Sequence, residues 1–289
     1  MPAAVLGLLS ALVYGSADFL GGVAARRIGP VRTTAVGAVS GLALLLLSLP
    51  VAGGVWSPAA LGWGALSGLV GSAAVGLLYA CLAIGPMSIL SPLTALVSAL
   101  VPMAWGLVGG DRFGLVGSLA LGLALVAVVL VGFVPEKGAV RPSARALGMA
   151  VAAGALIGVF LILLNQTPDD SGVVPLIANR AVNGAVMWAV VALLLLRRRR
   201  ALGDADALPR LQPHGVGIAA GAGALDASAN LLILIGLRLG DLTTMSVLVA
   251  LYPAGTILLA AIVLRERVAP VQWVGLVLAV TAAALLALD

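Results

Sequence analysis

The chain of 289 residues has one cysteine, Cys81, so no disulfide can form within it. It has one histidine, His214, at the edge of an apolar run, and no clustered carboxylates near it. A metal site needs grouped His, Cys or acidic ligands, so neither metal nor cofactor is expected. Charged residues make up 9% of the sequence, against ~25% in soluble domains. That shortage excludes a globular enzyme with an ordinary polar surface. No P-loop is present, which argues against ATP-driven work. The net charge is +5, but the basic residues sit in the gaps between apolar runs, so nucleic acid is not an expected partner.

What remains is apolar. Hydrophobic residues reach 62% and the mean hydropathy is +1.19. Ten segments approach the ~20 residues needed to cross a bilayer: about 3–25, 31–50, 59–83, 86–108, 113–134, 145–165, 172–196, 215–237, 241–263 and 269–288. The first has no basic stretch ahead of it and is followed by Arg26-Arg27, the pattern of a retained helix and not of a cleaved leader. Glycines four apart, at Gly37/Gly41, Gly64/Gly68, Gly154/Gly158 and Gly217/Gly221, offer smooth faces for helix packing.

The chain repeats itself. Adding 155 to the numbers of Gly85–Gly132 superposes that stretch without a gap on the one starting at Gly240. Ser91 then falls on Ser246, Ala95-Leu96 on Ala250-Leu251, and Asp111-Arg112 on Glu266-Arg267. Nearer the N-terminus an offset of 143 places Gly15 on Gly158 and Gly37 on Arg180. The difference, 155 − 143 = 12 residues, is absorbed by the basic linker Arg197–Arg210. The expected architecture is an all-α integral membrane protein with ten transmembrane helices as a 5+5 inverted repeat, residues 1–138 and 139–289. An odd number of helices per half turns the second copy upside down, a plan common among transporters.

Orientation is read from Lys and Arg. Arg26, Arg27, Arg32, Lys137, Arg141, Arg145, Arg197 to Arg200, Arg210, Arg265 and Arg267 follow odd-numbered helices, while only Arg112 and Arg238 lie on the other side. The positive-inside rule therefore puts both termini outside. Arg197 to Arg200 are expected to meet anionic lipid headgroups. Trp56, Trp63 and Trp273 fit interfacial anchors, and Trp105 and Trp188 fit either an anchor or a cavity wall.

The stretch from Leu251, LYPAGTILLAAIVLRERVAPVQWVGLVLAVTAAALL, resembles the closing hairpin of the EamA-type drug/metabolite transporter superfamily. Its first-half counterpart departs from the pattern, with Asp111 where the family usually has Glu and Ser98 where Pro253 has its match. YGSADFLGGVAARR, from Tyr14, is similar to the family's first helix. The resemblance implies a ten-helix carrier of small metabolites with a central cavity, in a bacterial inner membrane. It also implies cytoplasmic termini more often than external ones, against the charge count, and an arginine where Arg180 stands.

Ionisable groups within a membrane usually face a cavity or a partner, since a charge at the bilayer centre costs ~2.5–3.5 kcal/mol on insertion scales. Three qualify. Asp226 lies midway along helix 8, with Asn230 one turn later. Arg180 lies in helix 7 beside Asn179 and Asn183. Asp18 follows Tyr14 in helix 1. Asp226 reads either as a proton-coupling or substrate-ammonium site, or as a static salt bridge to Arg180. Arg180 reads as a carboxylate clamp or a structural charge, and Asp18 as a cavity group or a partner of Arg26. The other half carries Gly71 and Gly37 at the positions matching Asp226 and Arg180, so the fold needs neither charge.

Pro92, Pro102 and Pro253 are expected to interrupt helices 4 and 9 and to act as gating kinks. Ser91, Thr94, Thr243, Thr244, Ser246 and Tyr252 give those helices polar edges, for substrate or for a neighbouring helix's backbone. The expected function is a secondary transporter of a small metabolite or drug by alternating access, an efflux carrier with proton coupling as the accompanying hypothesis. The alternatives are a passive channel and an intramembrane enzyme. Val108-Gly109-Gly110-Asp111 and Gly223-Ala224-Leu225-Asp226 both miss the Gly-x-Gly-Asp pattern of an aspartyl protease. Expected partners are the solute and membrane lipid, with a homodimer left open.

Overall fold

The computed structural model describes residues 2–84, 87–132, 142–202, 212–263 and 269–288. In chain order the helices are α1 (Pro2–Ile28), α2 (Pro30–Ala52), α3 (Pro58–Ile84), α4 (Met87–Gly109), α5 (Leu115–Gly132), α6 (Ala144–Asn165), α7 (Val174–Leu202), α8 (Pro213–Leu239), α9 (Leu242–Val249), α10 (Pro253–Val263) and α11 (Pro270–Leu288). One 3-10 turn, Asp169–Ser171, precedes α7, and no strand occurs among the described residues. Several helices open on proline, whose missing N–H is no loss at the first helical position. Ser143 and Asp241 cap two others, accepting from the Ala146 and Thr244 amides.

Among the described residues, seven helical runs are long and apolar enough to cross a membrane, with α9 and α10 counted together as Leu242–Val263. Shorter apolar stretches lie in α4, α5 and α11, at Leu93–Gly109, Leu115–Val131 and Pro270–Leu286. Large apolar side chains such as Leu47, Val51, Val108 and Leu115 face outward, as a lipid-immersed surface requires. All five tryptophans are exposed on this outer surface, so Trp105 and Trp188 are not cavity walls.

The prolines divide. The ninth expected segment breaks after Val249, and the turn at Ala250–Tyr252 is held by Leu251 N–H to Leu248 O at 3.1 Å and Tyr252 N–H to Val249 O at 3.0 Å. Pro253 then starts α10, because its ring disfavours helical geometry at Tyr252. The expected interruption of helix 4 is not seen: α4 continues through Pro92 and Pro102. A membrane helix tolerates proline where a neighbour accommodates the ring, and Gly158 of α6 packs there, a Cβ at Gly158 lying only 2.8 Å from Pro102 Cδ. The side chains of Ser91 and Pro92, and the expected tip Arg265-Glu266-Arg267, lie outside the described residues, as do Lys137, Arg141 and Arg210.

α1 packs along α8 and α3 along α6; α2 meets α7 and α8, and α3 also meets α7. α4 lies against α6 and α9, α1 against α9 and α10, and α5 pairs with α11. Glycine makes these seams close. Gly64 and Gly68 set α3 against the backbone of Pro175 and Asn179, and Gly154 and Gly158 set α6 against α4. Gly217 and Gly221 make no such seam; on α8 that role falls to Gly223, which abuts Gly37.

At the end of the bundle where α2, α6 and α8 finish, the connections lock together. The Val55 amide donates to Asp170 O at 2.9 Å and the Val173 amide to Gly53 O at 3.2 Å. Gly53, Gly54 and Gly172 hold φ of 64°, 141° and 49°, which other residues rarely adopt, and no Cβ fits between Gly172 and the Gly53 carbonyl. Arg238 at the end of α8 donates to Thr167 O at 2.7 Å, Thr167 Oγ1 at 2.5 Å, Pro168 O at 2.9 Å and Asp169 Oδ1 at 3.2 Å. Nearby, Asp111 accepts from Thr243 N at 3.2 Å and Thr243 Oγ1 at 2.7 Å. Arg238→Met is expected to cost about 1–3 kcal/mol, seen as a lower melting temperature in detergent. An unchanged melting temperature would mean that the backbone bonds alone hold this end.

Candidate functional site

Where α1–α4 meet α6–α9 the helices enclose a cavity of about 230 Å³. Its wall is mostly Ala, Gly and aliphatic carbon, and its charged groups are Asp18, Arg180 and Asp226. Arg180 lies two turns into α7 and Asp226 at the middle of α8. The seam at Gly37 and Gly223 brings α2 and α8 close, and Asp226 follows Gly223 by three residues.

The guanidinium Nη2 of Arg180 donates to Asp226 Oδ2 in an ion pair, with side-chain exposures of 13% and 23%. Asn230, one turn on, donates Nδ2 to Asp226 O at 2.8 Å and to Asp226 Oδ2 at 3.4 Å. Its Oδ1 is buried and has no hydrogen-bond partner among the described residues. Asn179 and Asn183 do not point their amides at a solute. They donate to Ser67 Oγ at 2.8 Å and to Ser72 Oγ at 3.0 Å, fixing α7 to α3 on either side of Arg180. Ser67 and Ser72 escaped the sequence reading, because a serine in an apolar helix usually bonds its own backbone. These two do so as well, to Gly64 O at 2.7 Å and Gly68 O at 2.8 Å.

Tyr14 and Tyr252 come from neighbouring stretches, α1 and the turn before α10, their ring centroids 6.0 Å apart at an interplanar angle of 55°. Asp18, one turn after Tyr14, is exposed to the cavity and lies within electrostatic reach of Tyr252. It has no hydrogen bond or ion pair among the described residues, so a bond to Arg26 is not seen. The serine and threonine hydroxyls that line the cavity bond backbone carbonyls three or four residues back. Thr33 donates to Gly29 O, Thr34 to Pro30 O, Ser98 to Ala95 O and Ser246 to Thr243 O, each at 2.8–3.0 Å. Thr94, outside the cavity lining, bonds the backbone of α6 at Ala150 O, at 3.2 Å.

The structure thus brings Arg180, Asp226, Asn230, Tyr14, Tyr252 and Asp18 to one cavity, which Asn179 and Asn183 also line with their amides bonded to α3. Pro253 sits at the break beside Tyr252, while Pro102 lies outside the cavity lining. No group of three or more His, Cys, Asp or Glu able to hold a metal occurs among the described residues.

Apolar helices of spanning length around a cavity that holds an ion pair define a multi-pass membrane protein. The model of the EamA-like transporter family matches residues 144–288, half of the chain. The chain belongs to that family, whose members are membrane transporters of the drug/metabolite superfamily and not enzymes. Its expected ligand class is therefore a small molecule. Among solved structures, one described only as "Crystal structure of protein" covers 99% of this chain and 98% of its own, with a TM-score of 0.73 and 17% identity. That likeness concerns the fold alone. No curated protein matches the chain in sequence.

Proposed function

We propose that the protein is a secondary transporter that moves a small organic solute by alternating access. In this reading ten segments form two five-helix halves, 1–138 and 139–289, inverted relative to each other in a bacterial inner membrane. α9 and α10 count together as the ninth segment, and α11 is the tenth. The packing supports this. Exchanging each segment for the one five places along turns α1·α8 into α6·α3, α2·α8 into α7·α3, and α1·α10 into α6·α4, all of which are contacts. The offsets agree at single residues: Gly15 faces Thr256 and Gly158 faces Val101, which are 143 and 155 apart respectively.

The observation that carries the reading is the cavity, walled from both halves and holding an ion pair within the span of the helices. Such a pair is costly in lipid and earns no place in a solid packing core. We read transport as efflux, driven by protons, with the termini outside. A proton on Asp226 breaks the pair and frees Arg180 to face the cavity, changing its net charge by one. That lets the proton and the solute compete through the charge of one cavity.

The test is flux in proteoliposomes under an imposed pH gradient, with a panel of amino acids and amines. Asp226→Asn is expected to reduce gradient-driven flux by about tenfold or more. Undiminished gradient-driven flux would rule out the coupling role, and non-saturable flux in the same assay would indicate a channel.

A further inference from the structure

The cavity has two acidic groups and one basic group, and the two carboxylates differ sharply. Asp226 is neutralised by Arg180 and further held by Asn230, so it has no charge to spare. Asp18 has neither ion pair nor hydrogen bond among the described residues and is exposed to the cavity. The chamber therefore holds one carboxyl without a counter-charge among the described residues, and it sits on α1.

The hydrogen-bonding inventory points the same way. The serine and threonine hydroxyls of the wall spend their protons on their own helices' carbonyls. Asn230 spends its N–H on Asp226, which fixes the amide's orientation and leaves Oδ1 as an unsatisfied acceptor, 2% exposed. Asp18 and Asn230 Oδ1 are thus the cavity-wall acceptors that have no donor among the described residues. A buried acceptor without a donor is costly, so the fitting ligand brings N–H groups and a positive charge. The tilted rings of Tyr14 and Tyr252 stand near Asp18, and aromatic faces attract cations in desolvated sites.

Resting on the transporter reading, we infer that the solute is a monovalent organic ammonium whose charged head seats on Asp18 beside Tyr14 and Tyr252. Asp226 and Arg180 are held by each other and do not hold the ammonium. An anionic solute finds Arg180 already engaged and Asp18 repelling it. A dication exceeds the one free charge.

The experiment is calorimetric binding to the purified full chain in nanodiscs, using phenethylammonium with 2-phenylethanol and phenylacetate as neutral and anionic matches of like size. The ammonium is expected to bind, and the other two to bind at least about tenfold more weakly. Asp18→Asn is expected to lower ammonium affinity by about tenfold or more, and Asp18→Glu to retain most of it. Because Asp18 has no partner to lose among the described residues, the melting temperature of Asp18→Asn is expected at or above the wild-type value, so weaker binding is not a folding defect.

Equal binding of the three probes would overturn the inference. So would unchanged affinity in Asp18→Asn, or no binding by either phenethylammonium or the smaller butylammonium. Flux measured alongside separates the two readings. Ammonium bound at Asp18 but never carried leaves the cation site standing and removes the transporter reading. Saturable flux of a neutral or anionic solute, indifferent to Asp18→Asn, does the reverse.

Discussion

Arg180→Ala is expected to abolish solute flux and to destabilise the protein together. The substitution leaves Asp226 within the membrane span with only Asn230 beside it. Removing one member of a fully buried ion pair costs ~3–5 kcal/mol. These side chains keep 13% and 23% exposure to the cavity, which softens the penalty to about 1–3 kcal/mol. The double variant Arg180→Met with Asp226→Leu removes both charges, so it is expected to regain most of the lost stability. It is not expected to regain flux. Melting curves in detergent and flux in proteoliposomes read the two effects apart. Wild-type stability in Arg180→Ala would show that the pair contributes nothing to the fold, and flux in the double variant would remove it from the transport cycle.

Gly223→Leu is expected to yield no folded protein. A Cβ at this position would run into the Gly37 carbonyl, Gly37 Cα and Ser40 Oγ of α2. Two of those obstacles are backbone, and a backbone cannot rotate aside as a flexible side chain does. Overpacking within a core costs ~1–3 kcal/mol, and more where the main chain must move. The damage would also reach the ion pair, because Asp226 follows one turn later on the same helix. Gly217→Ala, on the same helix with open space around it, is the control and should behave as wild type. Size-exclusion profiles of the detergent-solubilised variants provide the measurement. A monodisperse Gly223→Leu peak would mean that α2 and α8 can separate without unfolding.

Much of the site was legible because charge is so scarce. In a chain with 9% charged residues, an Asp or Arg within an apolar run stands out at once, and all three such residues line the cavity. Ser67 and Ser72 did not stand out. Hydroxyls are common in membrane helices, and nothing in a linear string shows that an asparagine 112 or 111 residues away will meet them. The prolines were equally mute. Pro253 ends a helix and Pro102 does not, although both interrupt apolar runs, because the outcome depends on whether a neighbour such as Gly158 makes room for the ring.

The sequence by itself determined that this chain lives in lipid as helices. Apolar runs of spanning length must satisfy their backbone bonds internally, and the helix does so residue by residue with no help from the rest of the fold. It also determined which few side chains were available for chemistry. The tertiary structure alone decided how those charges divide. Arg180 and Asp226 are 46 residues apart, and only the packing of α7 and α8 around a common cavity makes them partners while leaving Asp18 with none. Pairing is a matter of distances in space, where an ion pair needs its N and O atoms within about 4 Å, and no spacing along the chain encodes it.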